Sequence, residues 1–283
     1  MKKIYLQYLS FLLLISLFII LTNFIFFNYS NLSKSEAVSN SINLEKIAYL
    51  TFDDGPSENT LKILDILDKY EIQATFFVVG PSYKLKNDLL NEIIKRGHAL
   101  AMHSYNHEYS KIYANKDAYI DDFYNCLNWI KSVSGSSPVL YRFPGGSSTT
   151  IANKTMIQSI IETLYNDGYL HVDWNVDSFD SHYNNDTNAI ITNTLNCIKT
   201  NESNNIYNQI ILMHDNTKKV GTIKALPSII ENCLQKGYKF KSLSSKSTLI
   251  QHIKRPYKGL LNYFLMSRLL IKSRYFCGSL ALM

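Results

Sequence analysis

Two aspartates and two histidines carry the first chemical signal in this chain of 283 residues. Asp53 and Asp54 are adjacent in Thr51-Phe52-Asp53-Asp54-Gly55-Pro56, and His103 and His107 lie four apart in His103-Ser104-Tyr105-Asn106-His107. Residues four apart share one side of a helical or turn segment, so both imidazoles can face one point. Adjacent carboxylates on a strand-end loop can divide their work, one binding a metal and one moving protons. These are the parts of a metal-assisted hydrolase. Taken singly, an HxxxH pair is equally consistent with a solvated helix face, and Asp-Asp before Gly-Pro makes an ordinary turn. Whether the parts meet depends on the elements that carry them.

Those elements alternate. Short apolar runs at 47–52, 74–79, 98–101, 139–142, 169–174, 209–213 and 239–243 read as strands. Between them, series such as Leu61-Leu64-Leu67, Leu89-Leu90-Ile93, Tyr119-Phe123-Leu127-Ile130, Met156-Ile160-Leu164 and Leu226-Ile229-Ile230 repeat at helical spacing. Strands alternating with helices imply a mostly parallel α/β architecture, and about seven units favour a barrel-like closure over an open sheet. Such folds gather their active sites at the C-terminal ends of the strands. The polar clusters at Asp53-Asp54, 103–107, 142–147, 173–180 and His214-Asp215 all follow a candidate strand.

The N-terminal end is different in kind. Lys2 and Lys3 precede a run from Ile4 to Ser30 without a charged residue. A membrane-spanning helix needs about 20 apolar residues, and 9–27 supplies them, with the lysines favouring a cytoplasmic N-terminus. A cleavable signal has an apolar core of about 7–15 residues and a small-residue cleavage site; this run is longer and no convincing site follows. The expectation is a single-pass membrane anchor over 1–30, a Ser/Asn-rich spacer over 31–45, a catalytic body over 46–252 outside the cytoplasm and a basic, apolar extension over 253–283. That extension suits either a membrane surface or an unstructured tail.

The net charge of +6 belongs to the two ends. Removing Lys2, Lys3 and the six basic residues after His252 leaves −2 for residues 31–252. A near-neutral body is not a nucleic-acid binder by charge. No CxxC pair occurs, which argues against a cysteine zinc site. Cys126, Cys197 and Cys233 lie in helix-like apolar patterns and are expected as buried free thiols.

Five segments in order resemble the motifs of the polysaccharide deacetylases, carbohydrate esterase family 4. They are Thr51-Phe52-Asp53-Asp54-Gly55-Pro56-Ser57, His103-Ser104-Tyr105-Asn106-His107, Arg142-Phe143-Pro144-Gly145-Gly146-Ser147, Asp177-Ser178-Phe179-Asp180 and Leu212-Met213-His214-Asp215. One alone would be weak; five in sequence are specific. The resemblance spans about 47–243. It implies a distorted (β/α)7-type barrel of parallel strands and an N-deacetylase of N-acetylated polysaccharide.

The resemblance also implies roles. Asp54, His103 and His107 would hold one divalent metal, zinc first, with cobalt or nickel able to use the same ligands. Asp53 would be the general base that takes a proton from the attacking water. Arg142 would pair with Asp53 and hold it in place. His214 would be the general acid that protonates the leaving amine. Asp180 would orient and charge His214, with Asp177 a second candidate. Leu212 would line the acetyl-methyl pocket, and backbone N–H groups in the turn Pro144-Gly145-Gly146 would hold the oxyanion.

Two positions depart from the family pattern. Gly145 stands where many members carry tyrosine, and Ser181 where many carry tryptophan. Tyr105, Trp174, Phe179 and Tyr183 are the candidates to stack on a sugar instead. An anchored body with no carbohydrate-binding module points to the cell's own wall, so peptidoglycan N-acetylglucosamine is the first substrate expected. Chitin oligomers, N-acetylmuramic acid, poly-N-acetylglucosamine and O-acetyl xylan are alternatives. A different class, a silent glycan-binding relative that keeps fold and metal, is the competing expectation.

Overall fold

The computed structural model describes residue 22 and residues 45–81, 85–183 and 185–255. Nearly all of the expected anchor and of the spacer, and the extension beyond residue 255, lie outside the described residues. Among the described residues, no helix is long and apolar enough to cross a membrane.

Eight strands form one sheet: β1 (Ile47–Asp53), β2 (Thr75–Val79), β3 (Ala99–Ser104), β4 (Leu140–Tyr141), β5 (Leu170–His171), β6 (Val176–Asp177), β7 (Asn208–His214) and β8 (Lys239–Phe240). The order is β5-β4-β3-β2-β1-β7-β6, with β8 paired to the start of β1. Every pairing is parallel. Eight helices connect the strands: α1 (Glu58–Lys69), α2 (Leu85–Lys95), α3 (Tyr109–Ile112), α4 (Lys116–Ser134), α5 (Lys154–Asn166), α6 (Asp180–Tyr183), α7 (Thr187–Ser203) and α8 (Val220–Gln235). The result is the curled half-barrel of parallel strands expected from the alternation. It is less closed than a full barrel: no ladder joins β5 to β6 among the described residues.

Strand alternation sorts the side chains into two layers. Ala48, Leu50, Phe52, Phe76, Val78, Leu100, Met102, Tyr141, Ile211 and Met213 face the helices in the main core. Tyr49, Phe77, Ala101, Leu140, Val172 and Ile210 fill the interior of the curl, joined by Leu243 from beyond β8. The interior parity of β1 therefore runs Tyr49, Thr51, Asp53. A strand buried on both faces reads as the near-continuous apolar run seen at 47–52.

Several expectations need correction. The third strand runs to Ser104, so His103 lies on a strand and not on a helical segment. The strand expected over 169–174 is only two residues long, β5, and a second two-residue strand, β6, follows it outside that run. Helix α7 carried no clear 3.6-residue repeat. Cys126 and Cys233 are buried thiols, whereas Cys197 on α7 is disulfide-bonded.

Candidate active site

Register places the first two functional groups side by side. Asp53 ends β1 opposite His214, which ends β7, and Thr51 lies opposite Leu212. All four share the parity of the barrel interior. Leu212 is buried on this floor and is also in register with Asp177 of β6.

Asp54 follows Asp53 but leaves the strand with φ of +74°, in the left-handed region. Its carboxylate thereby turns away from that of Asp53. Asp54 Oδ1 lies 3.1 Å from His107 Nε2 and 3.5 Å from His103 Nε2. His107 also has a left-handed φ, +55°. His103 arrives by a different device. Val78 is in register with Met102 and Val79 with Ser104, so His103 is the unpaired residue of a bulge, and bulges re-aim side chains beside active sites.

The three residues fit a divalent cation. Their ligand atoms lie within 4.8 Å of one another. Ligands about 2.1 Å from a tetrahedral ion sit about 3.4 Å apart, close to the two separations from Asp54. His103 Nδ1 donates to the Arg142 carbonyl at 2.9 Å, which leaves Nε2 with its lone pair facing Asp54. Asn216 Nδ2 donates to Asp54 Oδ2 at 3.1 Å and leaves Oδ1 toward the histidines. Burial opposes ionisation of Asp54, but bonds from His103 and His107 and the charge of His214 hold it well below the usual carboxylate range.

Arg142 is fully buried. Its Nη1 donates to Asp53 Oδ1 and Thr51 Oγ1, both at 2.9 Å. Its Nε donates to the Val172 carbonyl at 3.0 Å and its Nη2 to the Asp173 carbonyl at 3.1 Å. The guanidinium also lies over Phe77, 4.1 Å from the ring centre. With its donors spent in fixed directions, Arg142 holds Asp53 in one pose.

On the other flank, His214 Nδ1 donates to Asp180 Oδ1 at 2.7 Å. Asp180 Oδ2 accepts from the His214 backbone N–H and from Thr222 Oγ1. Burial would lower the His214 pKa; the charge and hydrogen bond of Asp180, with Asp54 and Asp53 behind it, raise it to about 9. Burial likewise opposes ionisation of Asp180, and the charge and bonds of His214 hold its pKa low. Asp177, the second candidate for this role, takes the Phe179 N–H instead, and burial pushes its carboxyl up.

The third-motif turn narrows the expected oxyanion donors to one. Pro144 has no N–H, and its carbonyl accepts from Tyr113. Gly146 N–H is spent on the Phe143 carbonyl. Gly145, exposed and at φ of +78°, keeps an N–H with no partner among the described residues. Of the aromatics offered for stacking, Trp174 packs on this turn: a methyl at Gly146 would sit 2.8 Å from Trp174 Cη2. Tyr105 covers Gly80 instead.

Sequence reasoning missed three supporting residues. Asp122, buried on α4, accepts from Ser104 Oγ, from the Tyr105 and Asn106 backbone N–H groups and from Asn106 Nδ2, while Ser104 Oγ accepts from His107 N–H. Asn216 is the second. Asp173 is the third: it is buried and accepts from Ser147 N–H, Ser147 Oγ and His252 N–H. Each lies far in sequence from most of what it holds, so no local pattern marks its role.

A polysaccharide deacetylase family model matches residues 41–164. A peptidoglycan-N-acetylglucosamine deacetylase of Bacillus cereus is 32% identical over 203 residues, covering 71% of this chain and 71% of its own length. A putative polysaccharide deacetylase of Bacillus subtilis, YheN, is 32% identical over 197 residues, 69% of this chain and 66% of its own. Among solved structures, the catalytic domain of a peptidoglycan N-acetylglucosamine deacetylase from Eubacterium rectale superposes with a TM-score of 0.67 at 33% identity, covering 74% of this chain and 93% of that one. The polysaccharide deacetylase Bc1974 from Bacillus cereus does so with a TM-score of 0.63 at 30% identity, covering 73% and 96%.

Proposed function

The chain belongs to the polysaccharide deacetylase family, with deacetylase enzymes among its relatives, and from that premise we propose that it is a metal-dependent N-deacetylase of peptidoglycan N-acetylglucosamine. The observation that carries the reading is the arrangement at the barrel mouth. A carboxylate anchored by Arg142 and an imidazole anchored by Asp180 flank one cluster of three ligands.

Asp54, His103 and His107 would hold the ion, zinc by preference for this nitrogen and oxygen set. A divalent cation there supplies Lewis-acid polarisation of the amide oxygen and makes water a stronger acid. Asp53, held by Arg142, takes the proton of the attacking water. Gly145 N–H donates to the carbonyl oxygen as it gains charge. His214, kept protonated by Asp180, gives its proton to the sugar nitrogen as the C–N bond breaks. Acetate and a free amine are the products, and Leu212 provides an apolar floor for the methyl.

The relatives named as peptidoglycan deacetylases support that substrate. So does the uncharged run at 4–30, which would anchor the chain in the cytoplasmic membrane with the barrel outside, beside the wall. The test is acetate release from purified peptidoglycan, chitin oligomers and O-acetyl xylan by the zinc-loaded protein and by the same protein after chelation. Release from peptidoglycan that chelation stops is expected. No release from any of them with zinc bound would overturn the reading.

A further inference from the structure

Tyr109 borders the site and has no part in the reaction above. It begins α3, two residues after His107, and meets the His107 ring edge-on, with 5.5 Å between centroids. A methyl at Gly145 would lie 3.3 Å from Thr149 Oγ1 and 3.5 Å from Tyr109 Cε1, so this ring borders the glycine that offers the unpaired N–H. Trp174 covers Gly146 beside it. The bare turn thus has an aromatic ring over each of its glycines, one on the metal side and one on the Arg142 side, where Trp174 lies 5.6 Å from the guanidinium.

The hydroxyl is what separates Tyr109 from its neighbour. Tyr113 lies behind it, its ring tilted at a centroid distance of 5.9 Å, and donates its hydroxyl proton to the Pro144 carbonyl. Tyr109 is half-exposed, and its hydroxyl has no partner among the described residues. This corner is built of acceptors: two carboxylates and the lone pairs of two imidazoles. Carbonyl and hydroxyl oxygens of a sugar find few donors there: Gly145 N–H, the Thr149 hydroxyl beside it and, on the far flank, protonated His214. A phenol is a donor at neutral pH, and a ring already held by His107 and Tyr113 loses little freedom on binding.

We propose that Tyr109 is a substrate-contact residue whose ring walls the acyl-sugar pocket beside the metal ligands and whose hydroxyl donates a hydrogen bond to the bound N-acetylhexosamine. The proposal rests on the deacetylase reading for its ligand class. A ring that only packs against His107 would be replaced without loss by phenylalanine, so Tyr109→Phe separates contact from support.

The experiment uses the full-length zinc-loaded protein. Binding of chitotetraose is measured by calorimetry in the Asp53→Asn background, where ligand is not consumed, and acetate release is measured in the Asp53 background. Tyr109→Phe is expected to weaken binding and raise KM about five- to tenfold, the worth of one hydrogen bond, with kcat within about twofold and zinc content unchanged. Tyr109→Leu, which also removes the ring, is expected to weaken binding further. A Tyr109→Phe protein that binds and turns over like the parent overturns the proposal, as does one that loses zinc. A parent that binds the oligosaccharide but releases no acetate from it, from peptidoglycan or from O-acetyl xylan sinks the deacetylase reading alone. A parent that does not bind it overturns the contact.

Discussion

Asp53 and Asp54 are consecutive yet point to different work, because strand geometry ends between them. Asp53 keeps the interior parity of β1 and reaches Arg142; Asp54 turns through a left-handed φ and reaches the histidines. A non-glycine residue in that region costs on the order of 1 kcal/mol and persists where surroundings fix it, here Asn216 and both imidazoles. The division predicts a clean separation in Asp53→Asn: kcat falls about 10²–10⁴-fold while zinc stays stoichiometric. Arg142 keeps three other acceptors, so the fold survives. Loss of zinc together with activity would mean that Asp53 is a ligand. The His214–Asp180 pair gives a second prediction. His214 is raised to about 9 in the folded chain from 6.5, so its contribution to stability is complete below 6.5 and is lost as pH rises through about 9. The same proton is the one the acid role uses. A dication beside Asp54 offsets part of the carboxylate field, so the alkaline limb of kcat/KM should fall between about 6.5 and 9. In Asp180→Asn, burial acts on the imidazole without its counter-charge, and that limb should move below 6.5. A pH–rate profile with an unchanged alkaline limb would remove Asp180 from the role.

At the scale of elements, the two histidines reach one ion by unlike routes. His103 is the bulged residue of β3, and His107 ends a turn whose donors converge on the Asp122 carboxylate of α4. The turn is therefore shaped by a helix that contributes no ligand. Asp122→Ala leaves Ser104 Oγ and two backbone N–H groups without their acceptor and frees His107 from its left-handed pose. Zinc affinity should drop about 10–100-fold, as for other groups that orient metal ligands, measured by competition with a chromophoric chelator. An unchanged zinc affinity would show that the turn holds itself. Here the sequence was informative in part. The motifs singled out His103, His107 and Asp54, which the fold brings into one cluster, and alternation of strands and helices pointed to the parallel architecture. The HxxxH spacing suggested a helical or turn segment, because four-residue spacing alone does not distinguish a helix turn from a bulged strand end. Strand β6, only two residues long, is below the length at which alternation can be seen, and α7 mixes Thr and Asn into its buried face, which blurs its period.

At the scale of the molecule, the fold must manage a half-barrel whose end strands do not pair. The chain solves this with residues beyond the last strand. Leu249 and Ile250 pack with the interior layer, the Ile250 carbonyl accepts from Asp173 N–H, and the Ile253 carbonyl from His171 Nε2. Asp173 ties that segment to the third-motif turn through Ser147 and His252, and His252 Nε2 donates to the Trp174 carbonyl. Contacts continue past 252: Ile253 N–H donates to Ser147 Oγ and the Arg255 guanidinium lies over the Tyr165 ring. One buried carboxylate thus joins the open edge to the wall of the site. Asp173→Ala would leave three donors without their acceptor, two of them on buried Ser147, at about 1–3 kcal/mol for such a loss. At about 2–4 °C per kcal/mol for a domain of this size, thermal unfolding should come roughly 2–12 °C earlier. Because Ser147 is held by the same carboxylate, the Gly145–Gly146 turn should loosen as well, and KM for an oligosaccharide should rise below the unfolding range. A lower melting temperature with an unchanged KM would separate the two, and would show that the third-motif turn keeps its shape from Tyr113 and Trp174 alone.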